Sequence, residues 1–454
     1  INNSGSVEIG RRIYPTPLSY CSRMFANWRG SLKVRIKIVA TKFHKGRLKI
    51  CYDPVNDITS TNPDVNAVYT QIVDIGEEDD IEIEIPYHQA YPWLYTDRAS
   101  PSDNWSPGGV LAPVPKYSNG VLTVRVLTTL TAPASGSVYI LAFVSGGDDF
   151  EFANPTDHIG YETTHKVPSF FALQAEDITN VVSSKVTLGQ PAKPHSDRYA
   201  QNFGEVILSL RNLLHRYMIQ DTIWIDSQTA NSNNIIGKSY RIMPYTPGFD
   251  PNFNGVTTVN KVVAASGTAP YALNQMHHMP YIAGMFLGYR GGANFNLTPG
   301  YDQYANQICD FRLSRWTSPL LDPTYRWWKT WGTKLRSATQ SSRSFFINNN
   351  LHLNDSLSGV AITSTDTNAS LTAQLPDFKL ANFSLVDPSN YLNGIAADGT
   401  DRSGMFLTMT IGTGASTQSD VTLQTHVSAA PDFTCLFWLC CPTMDYLQAD
   451  PTPI

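Results

Sequence analysis

Residues 32–38 read Leu-Lys-Val-Arg-Ile-Lys-Ile. In an extended chain Leu32, Val34, Ile36 and Ile38 share one face, and Lys33, Arg35 and Lys37 the other. A period of two predicts a strand buried on one side. The tetrapeptide Phe43 to Gly46 turns the chain, and a second strand over 47–52 stops at Asp53-Pro54. Further strands are predicted over 68–75, 80–88, 120–130 and 137–147, the second of these alternating Ile81, Ile83 and Ile85 with Glu82 and Glu84. No helix is predicted before residue 155. Residues 155–200 are polar and punctuated by prolines, the texture of a linker or extended arm. A helix is predicted over 203–218, with Val206, Leu210, Leu213, Leu214 and Tyr217 on one stripe and Gly204 near its start. Strand texture then resumes, with candidates at 222–227, 239–247, 285–297, 309–316, 370–378, 404–412, 420–428 and 432–441.

The pattern repeats. Met24 to Ser31 reads MFANWRGS, and Met285 to Gly292 reads MFLGYRGG, 261 positions later. IEIEIPYH (81–88) is echoed by LTAQLPDF (371–378), and VSGGDDF (144–150) by VSAAPDF (427–433), at offsets of 290 and 283. Three matches in one order imply two copies of one β-fold that differ in their loops. Antiparallel strands on long loops favour β-sandwiches, jelly rolls first among them. The fold class expected is therefore all-β, two antiparallel jelly rolls, over 1–154 and 201–454 with 155–200 between them. The first phrase follows only 23 residues and the second more than 80 of its own domain. The first jelly roll is thus expected to lack its N-terminal strands and to leave an incomplete sheet edge.

Composition narrows the function classes. Of 454 residues 16% are charged and 42% hydrophobic, which is globular rather than disordered. The net charge of −5 argues against gripping nucleic acid with the whole surface, though not against a local basic face. The six cysteines have no zinc-ligand spacing and no disulfide-dense framework, so free thiols are expected. No run approaches eighteen apolar residues, so no membrane span is expected. The chain opens on Ile1 rather than Met, as expected of a product cut from something longer or of a sequence that is only part of the product. There is no Gly-x-Ser-x-Gly elbow, Walker loop or dinucleotide fingerprint, and no cofactor is expected.

The segment FANWRGSLKVRIKIVATKFHKGRLKICYDP (25–54) resembles the central strands of capsid proteins of picorna-like viruses, with the dicistroviruses and marnaviruses the nearest groups. FGEVILSLRNLLHRY, FLGYRGGANF and PDFTCLFWLCCP resemble the subunit encoded last in those polyproteins, and VSGGDDFEFANP the end of the preceding one. The resemblance implies a structural, non-enzymatic protein that self-assembles into an icosahedral shell around a positive-strand RNA genome. Its partners would be other capsid subunits and copies of itself, with RNA on the inner face. Its location would be the virion, assembled in host cytoplasm. The family separates its subunits by proteolysis, and the bond between Gln174 and Ala175 fits cleavage after Gln before a small residue. In related insect viruses an Asp-Asp-Phe motif is implicated in a single autocatalytic maturation cut, which points here to Asp148, Asp149 and Phe150. Crowded carboxylates can hold a raised pKa and pass a proton. The alternative is a polar strand end whose Asp caps a turn. The second copy carries Pro431 in place of the first Asp.

Other candidates carry plainer readings. RWWKTWGTKLR (326–336) suits packing on its own domain, a subunit interface or stacking of RNA bases. Lys33, Arg35 and Lys37 suit a solvated or interface face better than an RNA-facing wall. Gly76 to Asp80 suits a hairpin turn better than a calcium loop. His277 and His278, read on a strand, would point to opposite faces and not share a metal. Cys440 and Cys441 read as core packing, and Arg29 and Arg290 as structural cations beside loop carbonyls or a carboxylate. The rival class is a carbohydrate-binding β-sandwich whose Trp and Tyr stack on sugars. A β-sandwich hydrolase would need a convergent catalytic set, which the sequence does not offer.

Overall fold

Alternation becomes sheet almost everywhere it was read. In this computed structural model the described residues are 9–13, 15–54, 68–96, 116–132, 138–156, 163–166, 184–188, 207, 209–225, 235–244, 248–249, 271–272, 276–301, 309–316, 360–364, 370–377, 382–386, 404–411 and 421–447. The first elements are β1 (Ile9–Ile13), α1 (Pro17–Ser22), β2 (Phe25–Arg29), β3 (Leu32–Val39), β4 (Lys45–Asp53), β5 (Tyr69–Asp74) and β6 (Asp80–Ile85). They continue with β7 (Leu94–Tyr95), β8 (Val121–Thr131), β9 (Tyr139–Gly146), β10 (Glu151–Pro155), β11 (Thr163–Lys166) and β12 (Ser184–Thr187). Then come α2 (Leu210–Leu214), β13 (Met218–Ile225), β14 (Ile235–Arg241), β15 (Gly248–Phe249), β16 (Tyr271–Ala272) and α3 (His278–Ala283). β17 (Phe286–Arg290), β18 (Ala293–Tyr301), β19 (Cys309–Trp316), β20 (Val360–Ser364), β21 (Leu371–Leu375) and β22 (Ser384–Leu385) follow. The last are β23 (Gly404–Ile411), β24 (Val421–Ala429), β25 (Thr434–Trp438) and β26 (Thr443–Leu447).

The chain divides into two units. One comprises Pro15–Thr156 and Ala172–Leu208; the other comprises Ile1–Tyr14, Asp157–Phe171 and Ser209–Ile454. In the second, two four-stranded antiparallel sheets run β13-β24-β18-β21 and β14-β23-β19-β20. Counted one to eight along the chain, these strands have the orders 1-8-3-6 and 2-7-4-5, which is the wiring of a jelly roll. In the first unit the counterparts of strands three to eight pair identically, as β6-β3-β9 and β5-β4-β8. Positions one and two hold no strand among the described residues. The span 155–200 contributes β11, paired with β26 beside β1, and β12, which adds in parallel to the outer edge of β6.

The first unit's core lies between its two sheets. Ile36 and Ile38 of β3, Ile81, Ile83 and Ile85 of β6, Leu48, Ile50 and Tyr52 of β4, and Val73 of β5 form one buried cluster. The basic face of β3 lies against the acidic face of β6: Lys33 sits opposite Glu84, Arg35 opposite Glu82, Lys37 opposite Asp80. Arg35 grips Asp80 with two bonds, of 2.8 and 2.6 Å, and holds that carboxyl below the usual carboxylate range. The turn before it uses Asp74 Oδ1 as an acceptor for the Gly76 N–H, at 3.1 Å. No group of His, Cys, Asp and Glu suited to a metal ion occurs among the described residues. No helix among them is long and apolar enough to cross a membrane.

Four local expectations change. The helix expected over 203–218 shrinks to α2: Ser209 takes extended geometry and its side chain accepts the Arg211 N–H, so the helix starts there. From Met218 the backbone pairs with β24, which fixes Tyr217 as an exposed connector, 44% accessible. Gly204 lies outside the described residues. Helix α1 was missed, although Thr16 caps it, accepting the Ser19 N–H, and Pro17 opens it. His277 and His278 lie not on a strand but at the start of α3, where His277 caps the helix by accepting the Met279 N–H. Cys440 is exposed rather than part of the core, because it follows the end of β25.

His277 bonds the Val427 carbonyl at 3.1 Å, and burial, with His278 beside it, pushes its pKa down to about 3 from 6.5. Between those values the unfolded chain binds a proton that the folded chain refuses, so stability is complete above pH 6.5 and falls as pH drops toward 3. Urea titrations at pH 7, 6 and 5 are expected to show a loss approaching about 1.4 kcal/mol per pH unit, flattened in His277→Asn, which keeps a capping oxygen. Ile83→Ala, at a position with 0% exposure, is expected to cost about 2–5 kcal/mol in the same measurement.

Candidate functional site

The Asp-Asp-Phe sequence falls in the turn between β9 and β10, and it closes over the Arg-Gly turn between β2 and β3. Gly30 has φ +107°, a left-handed conformation natural to glycine. A Cβ there would lie 2.3 Å from the Asp149 carbonyl oxygen and 2.5 Å from Phe150 Cα. The backbone of the Asp149-Phe150 turn therefore rests directly on Gly30. Asp149 Oδ1 accepts the Ser31 N–H at 2.8 Å and also the Ser31 hydroxyl. Gly147 N–H donates to the Ser31 carbonyl at 2.8 Å, and Phe150 N–H to the Gly147 carbonyl at 3.2 Å. The Phe150 ring stacks on Trp28, centroids 5.7 Å apart. Arg29, buried beside it, bonds Glu151 at 2.9 Å and lies over the Trp93 ring.

The second copy builds the same clasp from different residues. Gly291 has φ +102°, and a Cβ there would meet the Asp432 carbonyl oxygen at 2.4 Å and Phe433 Cα at 2.5 Å. Asp432 Oδ1 accepts the Gly292 N–H at 3.2 Å, Ala430 N–H donates to the Gly292 carbonyl, and Phe433 stacks on Tyr289 at 5.8 Å. Asn154 and Phe437 each have positive φ at matching positions, and Thr156 and Leu439 donate to the carbonyls of Met24 and Met285. One exchange is complementary. A Cβ on Gly147 would lie 1.9 Å from Ser31 Oγ; in the second copy Ala430 brings that Cβ, and glycine stands opposite as Gly292. The buried pair is not repeated, because Thr434 faces Arg290 where Glu151 faces Arg29.

This geometry separates the two carboxylates of the motif. Asp149 is a turn acceptor, and Phe150 a packing residue. Asp148 points out, its side chain 98% exposed, and its contact is the Lys33 ammonium at 2.7 Å, whose pKa it raises. The two acids are thus engaged by different partners rather than crowded on one proton. Ser31, Gly147 and Glu151 were missed as members of the site; laying VSGGDDF over VSAAPDF beneath the two Arg-Gly phrases could have found Ser31 and Gly147, whereas Glu151 lies one residue beyond the repeat. Gln174 and Ala175 lie outside the described residues, as does 326–336.

A jelly-roll strand order with this duplicated clasp defines the class, and comparison with known proteins places it further. Residues 17–109 match the family described as picornavirus capsid protein. The chain is 26% identical over 284 residues to the structural polyprotein of Cricket paralysis virus, covering 53% of this chain and 31% of that protein. It is 29% identical over 143 residues to the genome polyprotein of Deformed wing virus, covering 31% of this chain and 5% of that protein. The chain thus spans about a third or less of the length of these relatives. Among solved structures, a marine algae virus of the order Picornavirales shares 20% identity at a TM-score of 0.37, over 56% of this chain and 93% of that one. Black queen cell virus shares 29% identity at a TM-score of 0.27, over 32% and 59%. The chain is similar to capsid proteins of picorna-like viruses.

The clasp makes a pairwise prediction. Gly147→Ala is expected to cost about 1–3 kcal/mol through overlap with Ser31 Oγ, and much less in a Ser31→Gly background. A double-mutant cycle in urea measures that coupling, which the second copy's Gly292 and Ala430 foreshadow.

Proposed function

We propose that this chain is a structural capsid protein of a picorna-like virus, assembling with copies of itself and other capsid subunits into an icosahedral shell around positive-strand RNA. The observation that carries the reading is the duplicated jelly-roll wiring, in a chain whose residues 17–109 match a capsid family. Shell subunits need rigid sandwiches whose loops can vary without disturbing the sheets, and symmetry multiplies modest contacts between them. The carbohydrate-binding alternative is not favoured by that match. The virion is then the protein's location, and host cytoplasm the proposed place of assembly. Gln174–Ala175 is kept as the processing bond between the two building blocks, 1–154 and 201–454.

Within the Asp-Asp-Phe motif the geometry supports a division of labour. Asp149 and Phe150 hold the turn, as Asp432 and Phe433 do in the copy without a paired acid. Asp148 is the exposed carboxylate of the motif, salt-bridged to Lys33 at the surface, so a single-turnover maturation cut would depend on it as the proton acceptor.

Electron microscopy of the chain expressed with its companion subunits is expected to show closed particles; a monodisperse single-chain species would sink the capsid reading. Asp148→Asn is expected to leave folding and particle formation intact while blocking maturation on gels. Asp149→Asn is expected to lower stability as well. Full maturation in Asp148→Asn would remove the chemical role. N-terminal sequencing of the mature subunit tests the Gln174–Ala175 bond directly.

A further inference from the structure

The span 155–200 has the texture of a linker, yet its two strands lie on opposite sides of the proposed processing bond. β11 ends at Lys166 and β12 starts at Ser184. β11 pairs antiparallel with β26, near the far end of the chain, and β1 takes the other edge of β26. β12 instead pairs in parallel with β6 of the first sandwich, from Ser184 opposite Ile81 to Thr187 opposite Glu84. The Leu188 N–H extends that ladder, donating to the Glu84 carbonyl at 2.9 Å. A parallel neighbour cannot be reached by a tight turn, so this strand has to be brought in by a distant part of the chain.

Its side chains make β12 more than a surface strand. Leu188 is 5% exposed and belongs to the same buried cluster as Ile81, Ile83 and Ile85. Val186, two positions earlier, packs against that cluster, while Thr187 between them is exposed. Period two therefore turns one face of the segment into the core. The jelly-roll wiring does not itself call for this strand. β21, the counterpart of β6, carries no further strand on its outer edge among the described residues. The first sandwich thus completes its core with residues that follow Gln174–Ala175. The sheet centred on β26 is completed by strands that precede that bond.

We propose that the outer edge of β6 is a docking site for residues 184–188, and that it keeps this occupant after the linker is cut. With β1 and β11 on β26, strands are then exchanged in both directions. Residues 1–174 carry two strands of the sheet centred on β26, and residues 175–454 carry Val186 and Leu188 to the core of the first sandwich. A cut anywhere between Lys166 and Ser184 severs the chain without removing either strand from its sheet. Before the cut, the linker holds Leu188 near β6 at a high effective concentration. After it, backbone pairing and the buried leucine retain the segment, the backbone giving affinity and the alternate side chains register. The inference rests on the reading that this linker is cut, but not on which bond is cut or what cuts it.

The test uses the full chain with a site for a sequence-specific protease inserted between Gln174 and Ala175, so its outcome is independent of natural processing. After complete cutting, the two pieces are expected to elute together, one of each, in about 1 M salt, which screens surface charges but not sheet pairing. Hydrogen exchange read by mass spectrometry is expected to find β6 amides as protected in the cut protein as in the intact one. Leu188→Asp is expected to speed exchange of β6 amides in the cut protein about tenfold or more, with β24 amides unchanged. A synthetic peptide of residues 182–190 is expected to restore that protection, and a scrambled peptide of the same composition is not. Separate elution of the two pieces overturns the proposal. So does β6 exchange that Leu188→Asp leaves unchanged, or a loss that the peptide does not repair. Elution with two copies of each piece also overturns it, by assigning the exchanged strands to neighbouring chains.

Discussion

The left-handed glycine beneath an aspartate turn is the constraint on which each sandwich depends. At Gly30 and at Gly291 the backbone of a turn 119 or 141 residues further on lies where a side chain would otherwise stand. Only glycine allows that approach, and only glycine takes the φ needed at no cost. The turn that closes over it belongs to the last strand of the jelly roll, and the glycine to the junction before the third. Pinning these two sets the register of β9 on β3 and of β24 on β18, and with it which residues of each strand enter the core. A slip of one residue would turn Ile36 and Ile38 outward and bring Lys37 in.

Around that clasp the chemistry is free to vary, and the two copies show how far. An aromatic stacks on the turn's Phe in each, Trp28 in one and Tyr289 in the other. The serine-and-glycine pair of the first copy becomes glycine and alanine in the second, so one side chain's worth of space moves across the contact. The Arg29–Glu151 pair, buried at its arginine and half-buried at its acid, has no equivalent at Arg290, which is exposed. Burying a charged pair demands that both partners be present, and where Thr434 replaces the acid, the arginine stays in solvent. The Asp148 position is the least constrained of all, and can be proline. That contrast separates the acid of the motif that supports the turn from the one that stands at the surface against Lys33.

Much of this was legible beforehand. Strands with strict alternation, such as Leu32–Val39 and Asp80–Ile85, were read correctly because one buried face leaves its period in the residues. The duplication was legible because the same turn needs the same Arg-Gly and Asp-Phe at corresponding places. The helix over 203–218 was overread. Its apolar stripe is real at Leu213 and Leu214, but Met218 is claimed by pairing with β24, and pairing with a distant strand leaves no local mark. Cys440 misled for the same reason: an apolar run says nothing about where its strand ends. The motif at 148–150 was visible as residues but not as parts, because Ser31, which decides the role of Asp149, lies 118 positions away.

The sequence by itself determined the all-β class, the two copies and the glycines at their turns, since these follow from period two, from repetition and from backbone conformations open to few residues. Tertiary structure alone decided which acid holds the turn and which stands exposed beside Lys33, that His277 is a buried cap rather than a strand residue, and that the apolar side chains of β8 and β9 stand open. Each of those depends on what lies across the fold. Burial and partnership belong to pairs of residues brought together by the sheet, and a one-dimensional pattern records only the half of each pair that it contains.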